Sequence, residues 1–117
     1  MEGGVDMRTW KAKEAQLTEW LTKTGLWVAQ LRSRYLRGEA VEDIEWGECS
    51  VELKTRKAFP PQYLVKWLAQ AETNRGWRTP VLVIHKDGTR MGKQLVVLSL
   101  ADFVKLLGGR ANVDSDA

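Results

Sequence analysis

The sequence predicts an α/β domain in which a mixed central sheet is flanked by helices. Two arms with alternating apolar and polar residues surround Gly47-Glu48, which predicts a β-hairpin over about 41–55. A helical pattern opens at Pro60-Pro61, and a continuous apolar run at 81–84 is typical of a strand buried on both faces. We therefore expect a right-handed crossover that joins two parallel strands of one sheet.

The segment before the hairpin supplies the first helix and a further strand. Residues 8–22 are predicted to be helical, and Gly25 is the predicted stop. The apolar stripe of this helix consists of Trp10, Leu17, Trp20 and Leu21. Residues 26–36 alternate in a way that favours a strand, although Leu31 and Tyr35 also fit a helical spacing.

The segment after the hairpin continues with a helix and two strands. The helix runs from Pro61 to about Asn74-Arg75-Gly76. Its predicted apolar positions are Leu64, Trp67, Leu68 and Ala71. A turn at 86–88 separates the strand at 81–84 from a second apolar strand at 95–98.

A short helix is predicted at the end of the domain. Ser99 is its expected N-cap, with Asp102 at the third position of a capping box, and Gly108-Gly109 ends it. The side chains predicted to face inward are Phe103, Val104 and Leu107. Residues 1–110 should form a single domain, and we expect the acidic tail at 111–117 to be disordered.

Composition narrows the protein class. At 44% hydrophobic and 28% charged residues, the 117-residue chain is an ordinary globular sequence. The single cysteine, Cys49, excludes an intramolecular disulfide and a cysteine-based zinc site. No apolar run approaches the roughly 18 residues of a membrane span, and the N-terminus is too polar for a signal peptide. We expect a cytoplasmic protein, in a bacterial cell or a phage-infected host, that does not associate with membranes.

Charge is distributed unevenly along the chain. Residues 38–53 contain six acidic side chains and no lysine or arginine. Basic residues flank this stretch: Arg32, Arg34 and Arg37 before it, and Lys54, Arg56, Lys57 and Lys66 after it. Acids between basic flanks suit a metal-dependent enzyme that acts on a polyanion, because basic groups bind phosphates and acids bind metal. The competing interpretation is a surface on which charges of both signs simply alternate.

The hairpin places two carboxylates opposite each other. With the turn centred on Gly47-Glu48, Asp43 lies across from Glu52, with Cβ atoms about 5 Å apart. Lys54 shares the face of Glu52 because strand side chains alternate. Like charges in this position destabilise a sheet unless they are neutralised, and a divalent cation would neutralise them.

These residues resemble a nuclease signature. Asp43, followed after eight residues by Glu52-x-Lys54, is similar to the motif of the PD-(D/E)XK nuclease superfamily. A helix with the pattern W-L-x-Q-A, a hydrophobic strand and a D-F pair follow in the order seen in small phage-encoded Holliday junction resolvase-like nucleases. The resemblance covers about 38–107. It implies a restriction-endonuclease-like core (helix, three strands, helix, strand), to which an extra strand and a C-terminal helix are added.

The resemblance also implies an activity. It implies Mg²⁺-dependent hydrolysis of DNA phosphodiester bonds, with Mn²⁺ as a substitute, in branched DNA such as Holliday junctions. Asp43 and Glu52 would be metal ligands and Lys54 the catalytic lysine, and the products would carry 5′-phosphate and 3′-hydroxyl ends. The peptide carbonyl of Leu53 is a candidate for a further metal-binding oxygen.

One feature departs from the family pattern. A glycine usually lies close before the first acid, whereas here Glu39 and Glu42 separate Gly38 from Asp43. Asp43 remains the preferred ligand because its parity places it with Glu52. Several relatives also carry an acid on the first helix. The candidates here are Glu14 and Glu19, and Glu14 is preferred.

For several further residues the sequence allows both a functional and a purely structural interpretation. By analogy Gln70 contacts the metal-bound water or DNA, but it is equally an ordinary residue at the edge of a helix. Arg56 and Lys57 either bind a DNA phosphate or belong to a solvated turn. The arginines at 32, 34 and 37 either extend the DNA-binding surface or pair with nearby acids. His85, the only histidine, ends a buried strand and is interpreted as structural.

The six tryptophans are relevant to the core and to the oligomeric state. Most should be core residues, while Trp77 lies in a polar turn where it would be exposed to stack on a base or contact another subunit. A four-way junction is two-fold symmetric, so we expect a homodimer. The first helix, with Trp10 and Trp20, is the candidate interface, although core packing explains this helix almost as well.

Other functions remain open. A nuclease of the same fold acting on flaps, nicks or single-stranded DNA is the enzymatic alternative. A catalytically silent DNA-binding module is the alternative from a different class, but it would not need Lys54 beside the acids. The sequence contains no phosphate-binding loop, dinucleotide-binding fingerprint, nucleophile elbow or zinc-protease motif.

Overall fold

The computed structural model describes residues 7–32, 44–56 and 60–110. Within these ranges the chain forms three α-helices and five strands in the predicted order. The elements are α1 (Met7–Lys23), β1 (Ala29–Leu31), β2 (Ile44–Trp46), β3 (Cys49–Arg56), α2 (Pro61–Asn74), β4 (Thr79–Lys86), β5 (Leu95–Val97) and α3 (Leu100–Leu106). A short 3₁₀ turn at Met91–Lys93 precedes β5. The predicted α/β class with a mixed sheet is confirmed.

The five strands form one sheet in the order β1-β2-β3-β4-β5. β3 and β4 are parallel and are joined by α2, as the crossover prediction required, whereas the other neighbouring strands are antiparallel. β3 is the central strand. The sheet is therefore mixed, and its one parallel pair carries the crossover helix.

The hairpin between β2 and β3 turns at Gly47-Glu48, as predicted. Trp46 pairs with Cys49 and Ile44 pairs with Val51. Gly47 has a positive φ of 57°, and a Cβ atom at this position would clash with the indole ring of Trp27. Both the conformation and the close approach therefore require glycine here, which fixes the register of the hairpin.

One core lies between α1 and the sheet. Leu17 and Leu21 of α1 pack against Val51 and Leu53 of β3 and against Val83 of β4. Cys49 belongs to the same cluster, and burial together with the charge of Glu48 raises the pKa of its thiol to about 11. The odd-numbered side chains of β3 thus face α1.

A second core lies on the opposite face of the sheet, beneath α2. Trp67 of α2 packs against Leu82 and Ile84 of β4. Leu64, Leu68 and Val97 surround this group and are half-buried. Because side chains alternate along a strand, Glu52 and Lys54 of β3 point towards this α2 face.

The predicted orientation of α3 is wrong. Phe103 and Leu107 are 48% and 72% exposed, whereas Asp102 is buried. The predicted N-cap is confirmed, since Ser99 Oγ accepts a hydrogen bond from the backbone N–H of Asp102 at 3.1 Å. α3 follows the edge strand β5, and in the described part of the chain the two core clusters are formed by the sheet with α1 and with α2, not with α3.

Two further details differ from the prediction. The strand predicted at 81–84 extends over the whole of β4, while β5 exposes the side chains of Leu95 and Val96 because it is an edge strand. Trp20 is exposed, because the face of α1 that packs on the sheet is the one that carries Leu17 and Leu21. Among the described helices, none combines the length and apolar character that crossing a bilayer requires.

Candidate active site on the central strand

Glu52 and Lys54 are neighbours on one face of β3. The carboxylate of Glu52 is buried, with 5% of the residue exposed, and the Nζ atom of Lys54 lies 4.0 Å from its Oε2 atom. Lys54 is half-buried and Arg56, the next residue on this face, is exposed. β3 thus leads from the core to the surface at its carboxyl end, which is where ligands bind in sheets with parallel strands.

The opposition of Asp43 and Glu52 was predicted from a turn centred on Gly47-Glu48. The described part of the hairpin turns there, with Ile44 paired with Val51. Asp43 itself lies outside the described residues. Its role as a metal ligand stays a prediction, whereas the face and the spacing of Glu52 and Lys54 are observed.

The chemistry of the donors fits a hard divalent cation. Among the residues that the structure describes, no group of three or more His, Cys, Asp or Glu side chains is arranged to hold a metal. Mg²⁺ does not need such a group, since it usually binds one or two carboxylates and keeps several waters. Glu52, the peptide oxygen of Leu53 and Asp43 would supply oxygen ligands of the kind that Mg²⁺ prefers.

Glu14 is the buried acid of the first helix. It lies three and seven residues before Leu17 and Leu21, so it shares their face of α1 and is 5% exposed. Glu19 is exposed and pairs with Lys23 at 3.3 Å, which agrees with the preference for Glu14. α1 covers the face of the sheet opposite to the one that Glu52 faces. A role of Glu14 as an additional ligand stays a prediction.

The predicted DNA-binding residues fall into three groups. Arg32 forms an ion pair with Glu45, which also pairs with Arg78 at 3.3 Å, so Arg32 pairs with a nearby acid as the alternative interpretation proposed. Arg56 is exposed at the end of β3, with its guanidinium carbon 5.5 Å from the ring centroid of Trp67. Three further residues lie in the part of the chain that is not described: Arg34, Arg37 and Lys57.

The helix above this face presents Gln70 and an unpredicted cleft. Gln70 is exposed at the edge of the buried stripe formed by Trp67 and Ala71. Its contact with a metal-bound water or DNA stays a prediction. A cleft of about 530 Å³ lies beside the carboxyl end of β3, and its lining residues are Arg56, Pro60, Tyr63, Lys66 and Trp67. The four-residue spacing of Tyr63 and Trp67 was the available sequence signal for this cleft.

No protein-family model, curated protein or solved structure shows a significant match to this chain.

His85 is buried at the end of β4, on the face that packs against α1. Burial lowers the pKa of its imidazole below the ordinary value of 6.5, and the positive charge of Lys13 lowers it further, while Asp87 opposes the shift. The folded protein therefore disfavours the protonated form of His85. This environment supports the structural interpretation of His85.

A pH dependence of stability follows from this lowered pKa. Below about pH 6.5 the unfolded chain binds a proton at His85 that the folded chain resists, so the free energy of unfolding should fall as the pH is lowered. Urea denaturation of the wild type and of His85→Gln between pH 5 and 8 measures this contribution. His85→Gln should lose part of the pH dependence, and identical pH profiles of the two proteins would contradict the assignment.

Proposed function

We propose that this protein is a metal-dependent DNA endonuclease of the PD-(D/E)XK type. The observation that carries the proposal is the position of Lys54 Nζ, 4.0 Å from the buried Glu52 carboxylate on the central strand. A surface hairpin that uses acids only for solubility would not bury one of them beside an amine, because burying charge costs free energy unless it is compensated.

The arrangement of the elements supports a restriction-endonuclease-like core. α1 is followed by the strands β1, β2 and β3, then by α2 and by β4, which lies parallel to β3. This is the order helix, three strands, helix, strand that the resemblance implies. β5 and α3 would be additions at the edge of that core.

The proposed reaction is hydrolysis of a DNA phosphodiester. A bound Mg²⁺ would be held by Asp43, Glu52 and the Leu53 carbonyl, and it would supply Lewis acidity and a more acidic bound water. The ammonium of Lys54 orients the attacking water or stabilises negative charge that develops on the phosphoryl oxygens. The water oxygen bonds to phosphorus and the bond from phosphorus to the 3′ oxygen breaks, which leaves a 5′-phosphate and a 3′-hydroxyl.

The surroundings of the site suit a polyanionic substrate. Arg56 and Lys86 are partners in the parallel register, and both are exposed at the carboxyl ends of β3 and β4. Their adjacent charges support the binding of DNA phosphates at this end of the sheet. We propose branched DNA as the substrate and a homodimer as the active form, because a four-way junction presents two symmetric scissile strands.

A second candidate is a nuclease of the same fold that acts on flaps, nicks or single strands. The aromatic cleft beside β3 favours it, because Tyr63 is exposed there and unpaired bases stack on aromatic rings. A silent DNA-binding module is the remaining alternative.

Cleavage assays on a panel of labelled DNA substrates test the proposed function. The substrates are a four-way junction, a flap, a linear duplex and a single strand, each incubated with Mg²⁺, Mn²⁺ or EDTA. We expect cleavage of the junction with either metal and none with EDTA. Preferential cleavage of the flap or the single strand would support the second candidate, and binding without cleavage of any substrate would support the silent module.

Thermal denaturation gives an independent test of the metal site. Mg²⁺ should raise the melting temperature of the wild type, because a ligand that binds only the folded state stabilises it. Glu52→Gln should lose this increase. Glu48→Gln is the matched control, since Glu48 is an exposed acid in the same hairpin and should retain it. An increase of equal size in Glu52→Gln would contradict the metal site.

A further inference from the structure

The cleft beside β3 is built around a fixed aromatic pair. The rings of Tyr63 and Trp67 are stacked, with centroids 5.6 Å apart and an interplanar angle of 17°. Trp67 is buried in the core beneath α2, whereas Tyr63 is 43% exposed. The buried indole of Trp67 therefore holds the phenol ring of Tyr63 in place, while that ring remains accessible. A ligand that stacks on Tyr63 would lose little free energy to the ordering of side chains.

Two cations line the same cleft. The guanidinium of Arg56 lies 5.5 Å from the ring centroid of Trp67, and its Nη1 atom donates a hydrogen bond to the carbonyl of Thr55. Lys66 is exposed on α2, and none of the described lining residues is acidic. Within the described ranges, neither Arg56 nor Lys66 forms an ion pair with a carboxylate. Two positive charges thus line a cleft that suits an anionic ligand.

The cleft lies close to the candidate active site. Arg56, Lys54 and Glu52 occupy successive positions on one face of β3, and Arg56 is about 13 Å from Glu52 at the rise of an extended strand. A DNA strand that passes the carboxyl end of β3 would therefore lie close to both the candidate active site and the cleft.

We propose that this cleft binds one unpaired nucleotide of the DNA substrate, with its base stacked on Tyr63 and its phosphate bound by Arg56 and Lys66. The inference rests on the proposed action on DNA and specifies which part of the substrate the protein recognises. Stacking on Tyr63 requires an accessible base face, which a base inside a continuous duplex lacks. Combined aromatic and cationic contacts are the usual means of binding single strands.

Fluorescence anisotropy in EDTA tests the stacking contact without cleavage. The probes are a labelled single-stranded DNA and a blunt duplex that contains the same strand. Tyr63→Ala should weaken binding of the single strand by roughly 5- to 150-fold, the range expected for one lost base–aromatic stack, and leave binding of the duplex nearly unchanged. Tyr63→Phe, which keeps the ring, should bind both probes like the wild type. Circular dichroism verifies that both variants are folded.

The salt dependence of binding tests the phosphate contact. Lys66→Gln should reduce the slope of log K against log salt concentration for the single strand by about 0.7, the value for one lost phosphate contact. Lys105→Gln on α3 is the matched control and should leave this slope unchanged. Wild-type affinity of Tyr63→Ala for the single strand, an equal loss on the blunt duplex, or an unchanged slope for Lys66→Gln would overturn the proposal.

The same measurements separate this inference from the proposed function. If Tyr63→Ala loses single-strand binding while the wild type cleaves no substrate, the cleft stands and the nuclease proposal fails. If the wild type cleaves DNA with Mg²⁺ while Tyr63→Ala binds normally, the nuclease proposal stands and the cleft is refuted.

Discussion

Glu52→Gln is expected to abolish measurable DNA cleavage and Lys54→Ala to slow it strongly, while DNA binding persists in both variants. Glutamine keeps the shape of the Glu52 side chain but removes the charge that the proposed metal site requires. Loss of Lys54 should reduce the cleavage rate by about 10²–10³-fold, as does the loss of other groups that stabilise charge in a transition state. Single-turnover cleavage at saturating enzyme measures the rate, and anisotropy in EDTA measures binding. Asp43→Asn is expected to behave like Glu52→Gln.

The controls for this prediction lie in the same hairpin. Glu48→Gln removes an acid that is exposed in the turn, and it should cleave DNA like the wild type. The melting temperature of each variant separates loss of chemistry from loss of folding, which matters for Lys54→Ala because its Nζ atom lies near the buried Glu52 carboxylate. Normal turnover by Glu52→Gln or by Lys54→Ala would refute the site assignment.

The hairpin and the crossover could be predicted because they depend on local patterns. The alternation around Gly47-Glu48 specifies which side chains share a face, and the glycine conformation fixes the register. The position of Lys54 beside Glu52 follows from the same parity. A helix of this length carries the chain back to the end of the sheet at which β3 begins. The strand after α2 was therefore expected to run parallel to β3.

Other features depended on which surfaces were already covered. The spacing of Phe103 and Leu107 indicates an amphipathic helix, but both side chains are exposed. Among the described residues, the two core clusters are formed by the sheet with α1 and with α2. Burial of apolar side chains needs an available partner surface as well as the right spacing. The exposure of Trp20 has the same origin, because only one face of α1 packs on the sheet.

The parts of the site that were missed are formed by residues distant in the sequence. Arg32, Glu45 and Arg78 form an ion-pair cluster that brings together the end of β1, the hairpin and the start of β4. The cleft combines the end of β3 with the first turns of α2, and Tyr63 had no role in the sequence argument. Local periodicity does not specify such contacts, since they depend on how the elements pack.

Ile44→Ala is expected to lower the free energy of unfolding by about 2–5 kcal/mol, the range for truncating a buried aliphatic side chain. Ile44 is 0% exposed and packs in the core beneath α1, opposite Val51 in the hairpin register. Urea denaturation measures the effect as a lower midpoint with an unchanged slope. Ile44→Val should cost only about 0.5–1.5 kcal/mol. Val65→Ala, at an exposed position of α2, should change stability by less than about 0.5 kcal/mol.

This stability prediction also tests the geometry of the site. Ile44 is adjacent in sequence to Asp43, and a hairpin shifted by one residue would turn Ile44 towards the α2 face and reverse the faces of its neighbours. In that register Asp43 could not oppose Glu52. If Ile44→Ala were no more destabilising than Val65→Ala, the observed pairing of β2 with β3 would be wrong, and the two acids would lose the shared face on which the metal site depends.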